Sequence, residues 1–433
     1  MDDPVAVIGG GLAGLACAAQ LARSGCAVEL LDAGAELGGR AGTSEHEGFL
    51  LNQGAHALYP SSERLLAGLG VKAAGRHPKP GLVLRAGELI PSMFGPGAVL
   101  SRSPLNARER RAFLSSLAAV TLGDPAGSSG SSAAEWAGAH GHGPFMEDLL
   151  GGLMRLSTYC GDASALPAEL GRGMLREAVR RPVRYLDGGW RQIVEALAAR
   201  ARAAGAVLHS GVRVSELRHG PEGGFVLAGA QEERRARAVV LAGLSPARAA
   251  RLLRGAGGGL PQAIAAPRPV RAACLDIALS ELPRPEAPFV LGLDEPLYLS
   301  AHSAWSQLTP GTGAVVHLLR YEGADPLSGD ATLARLEALM DQVQPGWRER
   351  VVHRRFLPRM VVVHHLPAPG EGLALRPGVR DSAIPGVFLA GDWVGAEGWL
   401  AGASLRSGLA AAGAVLAAHS APQPARTASP VAR

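Results

Sequence analysis

The sequence predicts an α/β protein in which a parallel sheet is assembled from separated stretches of chain, with a mixed α/β unit inserted between them. Three observations carry this reading. The apolar run Val5 to Ile8 leads into the glycine turn Gly9-Gly10-Gly11-Leu12-Ala13-Gly14 and an alanine-rich helix ending near Gly25, and a second apolar run spans Ala27 to Leu31. Together they make one strand–helix–strand unit of about 30 residues. Similar signals return after Asp187: Gly188-Gly189, a helix from Trp190 to about Ala204, strands around Ala206 to Leu208 and Val212 to Leu217, and the run Ala238 to Ala242. A last set closes the chain, with a short strand from Gly386 ending at Asp392 and a helix from about Gly402 to Ala418.

Between these sets, residues 270–366 favour alternating strands with one helix, Asp330 to about Val343, which Pro345 stops. The stretch from His77 to Gly97 is rich in Pro and Gly, and Gly123 to Ser132 reads as a surface loop. No element is assigned across that middle region. The expected division is therefore 1–75, 184–269 and 367–419 for the parallel-sheet domain, 76–183 and 270–366 for the inserted unit, and 420–433 for a disordered tail.

Composition narrows the classes. A chain of 433 residues, 47% hydrophobic and 19% charged, can bury a substantial core. Its 58 glycines have no three-residue period, which excludes collagen. The net charge of +5 comes from scattered arginines with no basic run, so no nucleic-acid partner is expected. Cys17, Cys26, Cys160 and Cys274 lack metal-ligand spacing and read as reduced core thiols; no metal is expected. The apolar stretch Val5 to Ala22 follows Asp2 and Asp3, where a secretory signal would carry positive charge, so a cytoplasmic location is expected. Arg406 interrupts the apolar run from Trp399 to Ala418, which argues against a spanning helix.

Gly9, Gly11 and Gly14 match GxGxxG between a strand and a helix, and Asp32 ends the next strand. In that pattern the first glycine allows the tight turn, the second admits pyrophosphate to the backbone, and the third permits close helix–strand packing. The acid can accept both ribose hydroxyls. A dinucleotide site follows.

Three further motifs give the site a family. Gly38-Gly39-Arg40 follows the acid closely, Ala390-Gly391-Asp392 ends a late strand, and Gly398-Trp399-Leu400-Ala401-Gly402-Ala403 leads into the last helix. In these the sequence resembles the flavin amine oxidases and the phytoene-type carotenoid desaturases. The resemblance implies FAD and a Rossmann-like FAD-binding domain. It places Gly9, Gly11, Leu12, Ala13, Gly14, Asp32, Gly38 and Gly39 around the cofactor, with Arg40 reaching a phosphate and Gly391 and Asp392 at the ribityl and phosphate region. Leu400 N–H would face the pyrimidine oxygen of the flavin, Val214 would hold adenine through its backbone, and Gly54-Ala55-His56 would pass beside the isoalloxazine.

The resemblance also makes Trp399 a wall of the substrate site and His56 the leading acid–base candidate. His364 and His365 follow an apolar strand, where only one of the pair can face a cavity, and both are left open. Trp136, Trp190, Trp305 and Trp347 read as packing residues.

Flavin amine oxidases commonly keep a late lysine bridged through water to flavin N5, and this sequence has no lysine after Lys79. That absence shifts the expectation toward the phytoene-desaturase branch: hydride transfer from an apolar carotenoid or terpenoid to flavin N5, with oxygen a poor acceptor and the true electron acceptor open. The alternatives are a flavin amine oxidase, a non-redox flavin-dependent isomerase, and a flavoprotein without catalysis. An apolar polyene would have to be collected from a bilayer, so peripheral membrane contact goes with the desaturase reading. Only one GxGxxG is present, which leaves a built-in NAD(P)H site unsupported.

Overall fold

In the computed structural model, which describes residues 3–79, 81–92, 107–230 and 232–420, five strands form an all-parallel sheet. Its order is Val387–Ala390, Ala238–Ala242, Val5–Ile8, Val28–Leu31, Val207–His209. Each strand is short and apolar because both faces are covered. Successive residues of Val5–Ile8 serve opposite cores: Val5 and Val7 pack under the helices Leu12–Arg23, Arg191–Ala203 and Leu400–Ser420, while Ala6 and Ile8 pack toward the other side. That other side is closed by the three-stranded sheet Val214–His219, Phe225–Gly229, Arg234–Ala236 and the helix Pro246–Gly255. This is the Rossmann-like arrangement expected of an FAD-binding domain.

A second, seven-stranded sheet runs Val351–Val363, Val270–Leu279, Ala314–Tyr321, Leu297–Ala301, Phe289–Gly292, Leu82–Arg85, Glu88–Pro91. Its pairings are antiparallel except that of Leu82–Arg85 with Phe289–Gly292. The helix Gly329–Val343 buries Leu336, Leu339, Met340 and Val343 against one face. The opposite face, with Ala272, Cys274, Leu319 and Tyr321, meets Ala55 and the helix Pro144–Thr158.

The middle of the chain, where no element was assigned, is a helical layer: Ala107–Thr121, Ala133–Gly141, Pro144–Thr158 and Ala168–Arg180. Ser132, at the end of the expected surface loop, starts the second of these helices through a reciprocal capping box with Glu135. The 420–433 tail lies, from residue 421, outside the described residues. The last helix is long and apolar enough to cross a membrane by length and composition. Its apolarity has a use inside the fold, because Ala403, Leu405, Ala411, Ala412 and Val415 are fully buried.

Candidate active site

The opening turn divides its glycines between two tasks. Gly9 has φ +112°, and a Cβ there would meet the Ala242 carbonyl oxygen at 2.0 Å; a Cβ at Gly14 would meet the Gly9 carbonyl oxygen at 1.8 Å. Both therefore serve strand–helix packing. A Cβ at Gly11 would meet nothing nearer than the Gly38 carbonyl oxygen at 3.7 Å, and Gly11 lines a cavity of about 680 Å³. Gly11 also caps the helix Leu12–Arg23 without any side-chain hydrogen bond, so the first N–H groups of that helix face the cavity region with no side-chain acceptor at the cap. At the end of the second strand, Asp32 accepts hydrogen bonds from Gly10 N–H (2.5 Å) and Gly34 N–H (2.6 Å), which fixes its carboxylate at the cavity wall.

The same cavity takes in Gly38, Gly39, Arg40, Ala55, His56, Val214, Asp392 and Leu400. Residues from positions far apart in the chain thus share one volume, within the roughly 300–1,000 Å³ typical of ligand sites. Leu12 and Ala13 also line it; Gly14, in the first turn of the helix Leu12–Arg23, and Gly54 and Gly391 do not.

Arg40 and Asp392 meet each other. The guanidinium donates to both carboxylate oxygens (2.8 and 2.9 Å) and to the Val362 carbonyl (2.8 Å), and Asp392 also accepts from the His364 N–H (2.8 Å). Burial alone would raise this carboxyl, but Arg40 and His364 hold it far below the usual carboxylate range. His364, left open in the sequence, is thereby a partner of Asp392, with its Nδ1 at 2.8 Å. His365 turns elsewhere and accepts from Arg268 N–H.

The turn after Asp392 is held by a residue the sequence did not single out. Arg376, 4% exposed, donates to the carbonyls of Asp392, Gly395, Glu397 and Gly398. Desolvation lowers its pKa to about 10. Leu400 follows at φ +51°, a left-handed conformation in a non-glycine residue, and begins the last helix against the cavity.

His56 lines the cavity with its Nδ1 donating to the Gly54 carbonyl at 2.9 Å, which leaves Nε2 as the acceptor. Burial pushes the imidazole below its ordinary pKa, which favours its neutral form. The cavity also holds aromatic rings that the sequence did not single out. Tyr59 and Tyr159 line the cavity, their hydroxyls donating to the carbonyls of Ser157 and Ala55. Trp190, read as packing, lines it as well, 5.1 Å from the His56 ring.

Trp399 corrects an expectation. Its indole is 3% exposed, donates to the Thr158 carbonyl at 3.0 Å, and packs with Leu150, Met154 and Leu166 in the helical layer. It does not line the cavity, because the turn that Arg376 gathers points Leu400 inward and Trp399 away. Trp399→Phe is expected to cost about 1 kcal/mol of stability through the orphaned Thr158 carbonyl. Turnover per bound flavin should stay unchanged; a loss of turnover at unaltered stability would return Trp399 to the substrate wall.

The residues fit FAD on their own evidence. Gly11 leaves open the approach that pyrophosphate needs, and the Trp190 indole N–H is buried at the cavity with no acceptor among the described residues, a donor that an oxygen-rich ligand can satisfy. Residues 12–416 match the family described as flavin containing amine oxidoreductase. The chain belongs to that family. It is an FAD-dependent oxidoreductase.

Solved structures agree in fold. An oxidoreductase from Methanosarcina mazei is 17% identical, with a TM-score of 0.73 over 95% of this chain and 99% of that one. Wild-type putrescine oxidase bound to putrescine is 16% identical (TM-score 0.73; 96% and 99% covered). Cyclohexylamine oxidase from Brevibacterium oxydans is 20% identical (TM-score 0.69; 96% and 99% covered). The family match and these neighbours overturn the placement in the phytoene-desaturase branch, and with it the expected desaturation of a carotenoid or terpenoid.

Proposed function

We propose that this member of the flavin containing amine oxidoreductase family oxidises an amine at the carbon bearing nitrogen. The observation that carries the reading is a single cavity that the dinucleotide turn shares with His56, Tyr59, Tyr159 and Trp190. The family membership supports the substrate class, as do the amines named for the two oxidases of like fold.

Each residue then has a task. Asp32 would take the ribose hydroxyls, the Leu12 and Ala13 amides the pyrophosphate, and Val214 adenine through its backbone. The Arg40–Asp392 pair and the Leu400 N–H would border the ribityl and pyrimidine end, with Gly391 supporting the turn beside them. FAD, when bound, supplies the two-electron acceptor. The aromatic wall with Leu357 and Met360 excludes water and orients the substrate carbon. His56 Nε2 accepts the proton that leaves the substrate nitrogen. The hydrogen on the carbon leaves with two electrons to the bound acceptor while the nitrogen gives its proton to His56, so that the primary amine becomes an imine, which water converts to a carbonyl compound and ammonia.

The electron acceptor is proposed to be of the quinone class. The only lysines in the sequence, Lys72 and Lys79, do not line the cavity, whose side-chain cations are Arg40 and Arg248. With a panel of primary amines, aldehyde and ammonia should form faster with a quinone analogue than with oxygen. Rapid peroxide formation would overturn the acceptor assignment, and no turnover across the panel would overturn the substrate class. Peripheral membrane contact is no longer motivated, since it followed from a polyene substrate; cytoplasmic placement stays an expectation of the sequence.

A further inference from the structure

Behind the His56 loop lies a buried ion cluster that the cavity does not reach. Asp276 and His317 are both fully buried on adjacent strands, with His317 Nδ1 2.5 Å from Asp276 Oδ1. Arg355, from the strand on the other side, donates to Asp276 Oδ2 through Nε (3.0 Å) and Nη2 (2.6 Å), and Cys274 Sγ donates to Oδ1 (2.9 Å). A charged carboxylate with four contacts from three partners and no access to water has to be explained, because well-packed hydrophobic residues in place of a buried ion pair are often no less stable.

The loop is held on three sides, on two of them by the cluster and the strands that carry it. Arg355 Nη2 also donates to the Asn52 carbonyl, and its Nη1 to Ser44 Oγ. Gly54, at φ +87°, sits so close that a Cβ would meet Met360 at 2.6 Å and Cys274 Sγ at 3.8 Å. Tyr159 OH holds the Ala55 carbonyl from the helical layer. Gly54 in turn carries the carbonyl that orients His56. We propose that Asp276, His317 and Arg355 form a positioning site for His56, fixing the segment from Asn52 to His56 against the second sheet and setting the charge beside its imidazole.

A metal site is the competing reading, since Cys274, Asp276 and His317 offer ligand atoms within 4.8 Å of one another. Arg355 argues against it: its guanidinium already occupies Oδ2, where it would repel a cation. Burial and Asp276 also keep the Cys274 thiol protonated.

The charges act on His56 with opposite sign. Asp276 favours its protonated form and His317 opposes it. His302, whose ring lies 4.5 Å from that of His317, faces the same group, and Tyr298 and Tyr185 complete the buried surroundings as neutral phenols. His353, on the strand that carries Arg355, faces Asp276 from farther out.

This inference rests on His56 being the proton acceptor only for its functional meaning, so the test reads His56 directly. Histidine-labelled holoenzyme is titrated by NMR, with the His56 signal assigned by its absence in His56→Gln. Asp276→Asn should move the His56 titration down by about one unit, and His317→Gln, which keeps a donor to Asp276, should move it up. A merely structural role predicts no such opposition. Unchanged titration, or shifts of the same sign, would overturn the proposal. If Asp276→Asn does not fold, His317→Gln decides alone: an upward shift supports the proposal and no shift removes it. Opposed shifts together with full activity of His56→Gln would keep the positioning site and overturn the acid–base role.

Discussion

Gly11→Val is expected to yield a folded, colourless protein. Gly11 has φ −76° and ψ −174°, an extended conformation open to any L-residue, and its Cβ would find its nearest atom 3.7 Å away. The branched side chain therefore costs the apoprotein little. It projects into the space that pyrophosphate must enter, so FAD affinity should fall by roughly 100-fold or more, equivalent to about 2.7 kcal/mol. Gly14 gives the contrast: a Cβ there collides with the Gly9 carbonyl, so Gly14→Ala should lose the fold together with the flavin. The measurement is flavin released per folded chain, alongside a melting curve. A yellow Gly11→Val protein with a normal spectrum would contradict the cofactor placement.

His56→Gln is expected to lower kcat/KM for amine oxidation by roughly 100-fold, the lower end of what a positioned base contributes. Glutamine can still hydrogen-bond, but it offers no lone pair of comparable basicity at the position of Nε2. Flavin content should be unchanged, because the imidazole is held by the Gly54 carbonyl and the opening turn is built from other residues. Since the imidazole is buried and its pKa depressed, wild-type kcat/KM should show no loss from His56 protonation until the pH falls below its ordinary value of about 6.5. A rate within threefold of wild type would assign the proton to solvent and leave His56 as a packing residue.

What the sequence made legible was local. The GxGxxG turn, Asp32, the strand ending at Asp392 and the helix after Gly402 are each set by a few adjacent residues, and each stands within about two residues of its expected place. Tyr59, Tyr159 and Trp190 converge only because the helical layer, the first domain and the loop after Asn52 pack together, and no spacing along the chain announces that. Asp276 and Arg355 face each other through the register of two strands 79 positions apart. The desaturase expectation rests on one missing lysine. A lysine near flavin N5 speaks to how the reduced cofactor meets oxygen, not to which bond of the substrate is oxidised, so its absence could not carry the substrate class. The Trp399 expectation failed for a different reason. A turn motif gives the sequence of residues but not the hand of the turn, and here the four carbonyls gathered by Arg376 direct the indole into the helical layer.

The central claim is that one cavity brings an amine to FAD, and anaerobic reduction tests it most directly. Purified yellow protein, free of oxygen and of any added acceptor, is mixed with primary amines of graded size, and the flavin absorbance is followed. The account predicts that at least one amine bleaches the flavin in a single-turnover reaction, that the rate saturates with amine concentration, and that an apolar polyene of similar bulk leaves the spectrum unchanged. Bleaching by the polyene with no response to any amine would contradict it.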